Sequence, residues 1–192
     1  MMDILPTHYA LSEAFIVIAA AFAVARIWPV DRWFAVGLAV VALAALVAIV
    51  RILGGLTGDT IVLHEFLSRY GALFGLGCMV GALIGQRPWL PPLFAVIAAA
   101  LGMALPTANL LVLAGLILGG AALTYRNAPD RKVLAAGSFA FLSIAGLASA
   151  PFRSEYPALG WHIFHSVVAV WYVLVAILVT GALLPRGDGV SR

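Results

Sequence analysis

Charge is what this chain has least of. Lys, Arg, Asp and Glu make up 10% of its 192 residues, while 64% are hydrophobic. A soluble domain is about half apolar and roughly a quarter charged, so a water-soluble globular chain is excluded. Cysteine is nearly absent: Cys78 stands alone in an apolar run, which leaves neither a disulfide framework nor a cysteine metal motif. The first ten residues hold Asp3 and His8 but no Lys or Arg. A secretory leader needs a basic start and a small-residue cleavage site, so the first apolar run is expected to be a retained helix. The basic residues are scattered through the polar breaks, and no nucleic-acid partner is expected.

What the chain does have is long apolar runs. Breaks rich in Pro, Gly or charge, such as Trp28 to Arg32, Gly54 to Asp59 and Arg126 to Lys132, separate seven of them. They lie at roughly 9–28, 33–53, 60–85, 90–105, 108–125, 132–150 and 160–184. A helix needs ~20 residues to cross ~30 Å of hydrocarbon, and seven such spans use up nearly the whole length. The expected fold is therefore an all-α integral membrane protein, one domain over 1–192 with about seven transmembrane helices. Spans four and five are short and joined by a Pro turn. Asp59 is expected to cap the third helix, and Pro157 to restrict the approach to the seventh.

Orientation follows from the Lys and Arg count. Arg26, Arg32, Arg87, Arg126, Arg131, Lys132, Arg186 and Arg192 fall on one side, Arg51 and Arg153 on the other, and Arg69 within span three. This predicts an N-terminus outside, a C-terminus in the cytoplasm, and a bacterial-type inner membrane as the location. No repeat of fixed period appears, which argues against an inverted-repeat transporter.

Polar residues gather where spans one, three and seven begin, all at the outer face. Span one offers His8, Ser12 and Glu13; span three offers Asp59, Thr60, His64, Glu65, Ser68 and Arg69. Span seven offers Trp161, His162, His165, Ser166 and, deeper, Tyr172. Polar groups in lipid need partners, and these lie at matching depth. Thr60, His64 and Ser68 are four apart on one stripe, and Glu65 and Arg69 are placed to pair. His64, His162 and His165 would supply three neutral imidazoles, the number that catalytic zinc takes beside a water. Glu13 or Glu65 would orient a histidine or act as base, and Thr60 or Ser68 would hydrogen-bond an oxyanion. The plainer alternatives are interfacial histidines bonded to lipid head groups, an inert Glu65–Arg69 pair, and tryptophans that mark the aromatic belt.

Three short stretches carry a resemblance. Ser12-Glu13-Ala14-Phe15, Thr60-x-x-x-His64, and Phe164-His165 followed by Tyr172 resemble motifs of the alkaline ceramidase and adiponectin-receptor superfamily of seven-span membrane hydrolases. The family's last helix carries His-x-x-x-His where this chain has His162-x-x-His165, and its catalytic Asp has no counterpart near Phe74 and Gly75. The resemblance implies zinc and hydrolysis of a lipid or apolar amide or ester. Two other functions fit the same residues. One is a haem b electron carrier with His64 and a span-seven histidine as axial ligands. The other is a non-enzymatic sensor or subunit of other membrane proteins, with a polar ligand site outside and glycines such as Gly71, Gly75, Gly77 and Gly81 that allow close helix approach.

Overall fold

The computed structural model describes residues 6–85 and 87–184. Asp3, Gln86, Arg186 and Arg192 lie outside the described residues. Ten α-helices follow one another: α1 Tyr9–Ile27, α2 Arg32–Gly54, α3 Asp59–Phe66, α4 Ala72–Ile84, α5 Leu90–Ala104, α6 Asn109–Asn127, α7 Lys132–Ala140, α8 Leu142–Ser149, α9 Pro157–Leu178 and α10 Thr180–Leu183. A π turn, Leu67–Gly71, joins α3 to α4 in one continuous span.

Five helical stretches are long and apolar enough to cross a membrane, and α7 with α8 makes a sixth, bent by 46°. The expected fourth span is α5, with 15 residues. At 1.5 Å per residue it measures about 22 Å, short of a ~30 Å hydrocarbon layer.

Local signals explain most of the boundaries. Asp31 caps α2, its side chain accepting from Phe34 N–H at 2.9 Å. At the other end Gly55 takes φ +60°, and Gly55 N–H and Leu56 N–H return to Ile52 and Arg51 carbonyls. Only a residue without Cβ enters that left-handed turn without strain. The cap of α3 is Gly58 rather than Asp59, which falls inside the first turn. There its carboxylate faces the positive end of the helix, so one residue separates expectation from structure.

The bend between α7 and α8 was not foreseen. No proline causes it. Ser138 Oγ donates back to Ala135 C=O at 2.7 Å beside Gly137, and a glycine–serine pair is a recognised site of bending. Trp171 Nε1 donates to Phe139 C=O at 3.3 Å, so a carbonyl at the bend finds a partner on α9 and the bent span stays satisfied in lipid.

Hydrogen bonds fix which helix ends meet. Ser12 near the start of α1 meets His162 near the start of α9, and Arg26 Nε at the end of α1 donates to Ala176 C=O at 3.0 Å. Asn127 Nδ2 donates to Leu83 C=O at 2.6 Å, which joins the ends of α6 and α4. The core between them is aromatic and aliphatic, with Phe34, Leu38, Leu76, Met79, Phe139, Trp171 and Tyr172 fully buried. Tyr172 Oη donates to Leu38 C=O across this core at 3.0 Å.

Glycine sets the closest approach, between α2 and α4. A Cβ on Gly37 would stand 2.5 Å from Gly75 O, and one on Gly75 the same distance from Gly37 O. Both obstacles are backbone, so neither helix can yield without moving whole. Gly75→Ala and Gly37→Ala should each destabilise the detergent-solubilised protein by ~1–3 kcal/mol, whereas Gly115→Ala, with open space around it, should be neutral or slightly stabilising. Thermal unfolding of the three variants beside the parent checks this. Equal melting of Gly75→Ala and Gly115→Ala would contradict the packing.

Candidate functional site

The start of α1, the end of α2 and the start of α9 converge in a small cluster. Tyr9, Ala10, Ala48 and Ile52 are buried together, with Ala158 and Trp161 packed against them. Beneath this cluster Glu13 is 1% exposed, so a carboxylate sits inside a helix that otherwise reads as membrane. Such a group persists only with a partner.

The partner is His165. Its Nε2 lies 3.1 Å from Glu13 Oε1, an oxygen that accepts no hydrogen bond. Its Nδ1 is 2.7 Å from Trp161 C=O. A carbonyl can only accept, so Nδ1 donates to it and leaves Nε2 turned to the carboxyl group. Glu13 and His165 thus form one buried polar pair across the α1–α9 seam. Trp161 fixes it twice, through its carbonyl and through its indole, stacked on the His165 ring with centroids 4.5 Å apart.

His162 is engaged elsewhere. Its Nδ1 is 3.0 Å from Ser12 Oγ, and Ser12 Oγ donates to Tyr9 C=O at 3.1 Å. The serine has one proton, already given to the carbonyl, so His162 donates to it and leaves Nε2 open. Rings of His8 and Tyr9 lie within 5.4 and 5.6 Å of the His162 ring. One turn of spacing therefore sends His162 to the mouth of the bundle and His165 inward.

His64 reaches the site from α3. It is half-buried, 3.4 Å through Nε2 from Ser68 Oγ, and within electrostatic reach of Arg51, Glu13, His165 and Glu65. The helix that carries it has no buried residue and packs chiefly on α2. Thr60 Oγ1 donates to Thr57 C=O at 3.1 Å, a local turn bond. Glu65, Ser68 and Arg69 are exposed. Glu65 and Arg69 form no ion pair with each other, because the π turn beginning at Leu67 disturbs the i, i+4 alignment that would have joined them.

The three histidines expected to share a zinc ion are not gathered into one group. Among the described residues no three His, Cys, Asp or Glu side chains come together as a metal-binding group. The reason lies in the hydrogen bonds: the rings of His162 and His165 are turned to different neighbours, and both nitrogens of His165 are occupied. The sequence marks Trp161 as one of the polar residues of span seven but gives no sign of its double hold on His165, and it marks Arg51 only as a topology residue. The sole signal for Arg51 was a lone cation one turn inside an apolar run. A recess of about 310 Å³ lies at the opposite end of the bundle, among Asp31, Gly85, Arg126, Asn127 and Leu183, far along the helices from Glu13.

The Glu13–His165 contact should show in a double-mutant cycle of Glu13→Gln and His165→Gln. A coupling of ~1 kcal/mol or more is expected, within the range for neighbouring polar groups in membrane helices. Denaturant or thermal unfolding of the four proteins measures it, and strict additivity would contradict the contact. No family model, curated protein or solved structure matches this chain, so its function is argued from this geometry and from the resemblance in the three short stretches.

Proposed function

We propose that this chain is an integral membrane protein that works as a ligand sensor or subunit, with its site at the outer ends of α1, α2, α3 and α9. The observation that carries the reading is the 3.1 Å approach of His165 Nε2 to the buried Glu13 Oε1 with Nδ1 already committed to Trp161 C=O. A buried carboxylate–imidazole pair joins α1 to α9, and a ligand that displaces either member changes how the two helices meet. On this reading the chain crosses the bacterial-type inner membrane seven times with α5 as a short crossing, its N-terminus outside.

The pairing is directly measurable. Infrared difference spectra of the parent against each variant should show a Glu13 carboxyl band that is lost in Glu13→Gln and shifted in His165→Gln. A Glu13 band at the same frequency in the parent and in His165→Gln would remove the proposal.

A zinc-dependent hydrolase of lipid amides or esters is a second reading. It is favoured by the resemblance and by the electrostatic reach of His64 to both Glu13 and His165. It requires His165 to give up Glu13, so metal analysis separates the two. About one zinc per chain, lost in both His64→Ala and His165→Ala, would support the hydrolase. Metal-free protein with the infrared signature intact supports the sensor.

A further inference from the structure

Two further imidazoles meet where α1 and α9 start, and neither is a member of the Glu13–His165 pair. His8 stands at the N-cap of α1, where its side chain makes no capping bond. His162 lies in the second turn of α9. Their ring centroids are 5.4 Å apart, with the planes at 43°. The Tyr9 ring touches both, at 4.8 Å from His8 and 5.6 Å from His162. Tyr9 is itself buried, its ring edge-on to Trp161 at 5.2 Å, so the two imidazoles stand on a packed aromatic base.

The ring nitrogens decide what the pair can do. His162 Nδ1 is 3.0 Å from Ser12 Oγ, whose only proton goes to Tyr9 C=O. His162 therefore donates through Nδ1, and Nε2 keeps its lone pair. Metal-ligating histidines are held in this way, the far N–H donating to an oxygen that fixes tautomer and ring orientation. His8 is exposed, and no hydrogen bond among the described residues engages its ring or joins it to His162. One lone pair is already positioned by its neighbours, and the other can turn toward it.

The spacing suits an ion between the rings. An ion bonded to two imidazole nitrogens at ~2.0–2.1 Å stands ~3.2 Å from each ring centre, and at a tetrahedral angle the centres are then about 5.2 Å apart. The rings of His8 and His162 are at that separation. Among the described residues no third His, Cys, Asp or Glu joins them in a metal-binding group, so water completes the coordination. Imidazole ligands without carboxylates suit transition ions such as copper and zinc, whereas calcium and magnesium take oxygen ligands.

We propose that His8 and His162 bind a divalent transition-metal ion of the copper and zinc class between the start of α1 and the start of α9. Each side supplies one ligand, so the ion ties the two helices together at the end of their seam. The site is independent of the function proposed above, because neither imidazole takes part in the Glu13–His165 contact.

The test is copper(II) electron paramagnetic resonance on the full chain in detergent, free of any affinity tag and treated with chelator beforehand. One equivalent of copper should show hyperfine coupling to two imidazole nitrogens in the parent. His8→Gln and His162→Gln should each leave one such nitrogen at most. Copper affinity should fall at least ~10-fold in both, the loss that follows when even a ligand's hydrogen-bond partner is removed. His64→Gln should keep the two-nitrogen signal. Only the folded chain brings the two ligands together, so zinc should raise the melting temperature of the parent but not of His8→Gln. Melting without metal checks that each variant is folded, and His8, being exposed, can be replaced without disturbing the core. The same copper signal in parent, His8→Gln and His162→Gln would overturn the proposal, as would a single-nitrogen signal in the parent. Loss of the signal in His64→Gln, with His8→Gln unaffected, would overturn it in favour of an ion inside the bundle.

Discussion

The seam between α1 and α9 is the interaction on which the rest of this bundle depends. Both polar side chains that α1 buries are met by α9, Ser12 by His162 and Glu13 by His165, and at the far end the exposed Arg26 donates to the Ala176 carbonyl. In hydrocarbon a lone carboxylate is costly enough to be rejected, so these contacts select both the partner of α1 and its register. Apolar packing alone has no such preference, because lipid chains compete with it on equal terms.

Close packing and its absence are distributed unevenly around that seam. On one side Gly37 and Gly75 bring the α2 and α4 backbones together, and Gly77 and Gly81 do the same for α4 against the Phe94 and Pro91 regions of α5. These helices can hardly shift. On the other side α3 stands on α2 with no buried residue, above the level where α5 ends. The π turn lies at this junction.

The chemistry of the site follows from which nitrogen each histidine has free. Trp161 C=O takes the Nδ1 proton of His165, and Ser12 takes that of His162, so the two rings three residues apart present different faces to different neighbours. That division gives the two imidazoles separate partners. It also makes Trp161 the pivot of the site, as carbonyl acceptor, stacking surface and bearer of an unpartnered N–H.

Much of this was legible before any coordinates. The scarcity of charge and the length of the apolar runs dictate helices that span a membrane, since only such helices satisfy a backbone in lipid. Asp31, Gly55 and Pro157 mark helix ends by their own covalent properties. Glu13, His64, His162 and His165 stand out because polar groups in such runs need partners, and their matched depth already indicates that α1, α3 and α9 meet at one end of the bundle. Partner choice was not legible. Helical spacing puts His162 and His165 near one face, but ring rotation and the position of Ser12 and Glu13 across the seam decide what each one bonds, and those are properties of packing between distant segments. The same holds for the bend at Ser138, the displaced Glu65 and Arg69, the shortness of α5, and the burial of Arg51 Nε. Each depends on what a neighbouring helix places beside it, and a linear chain carries no record of that.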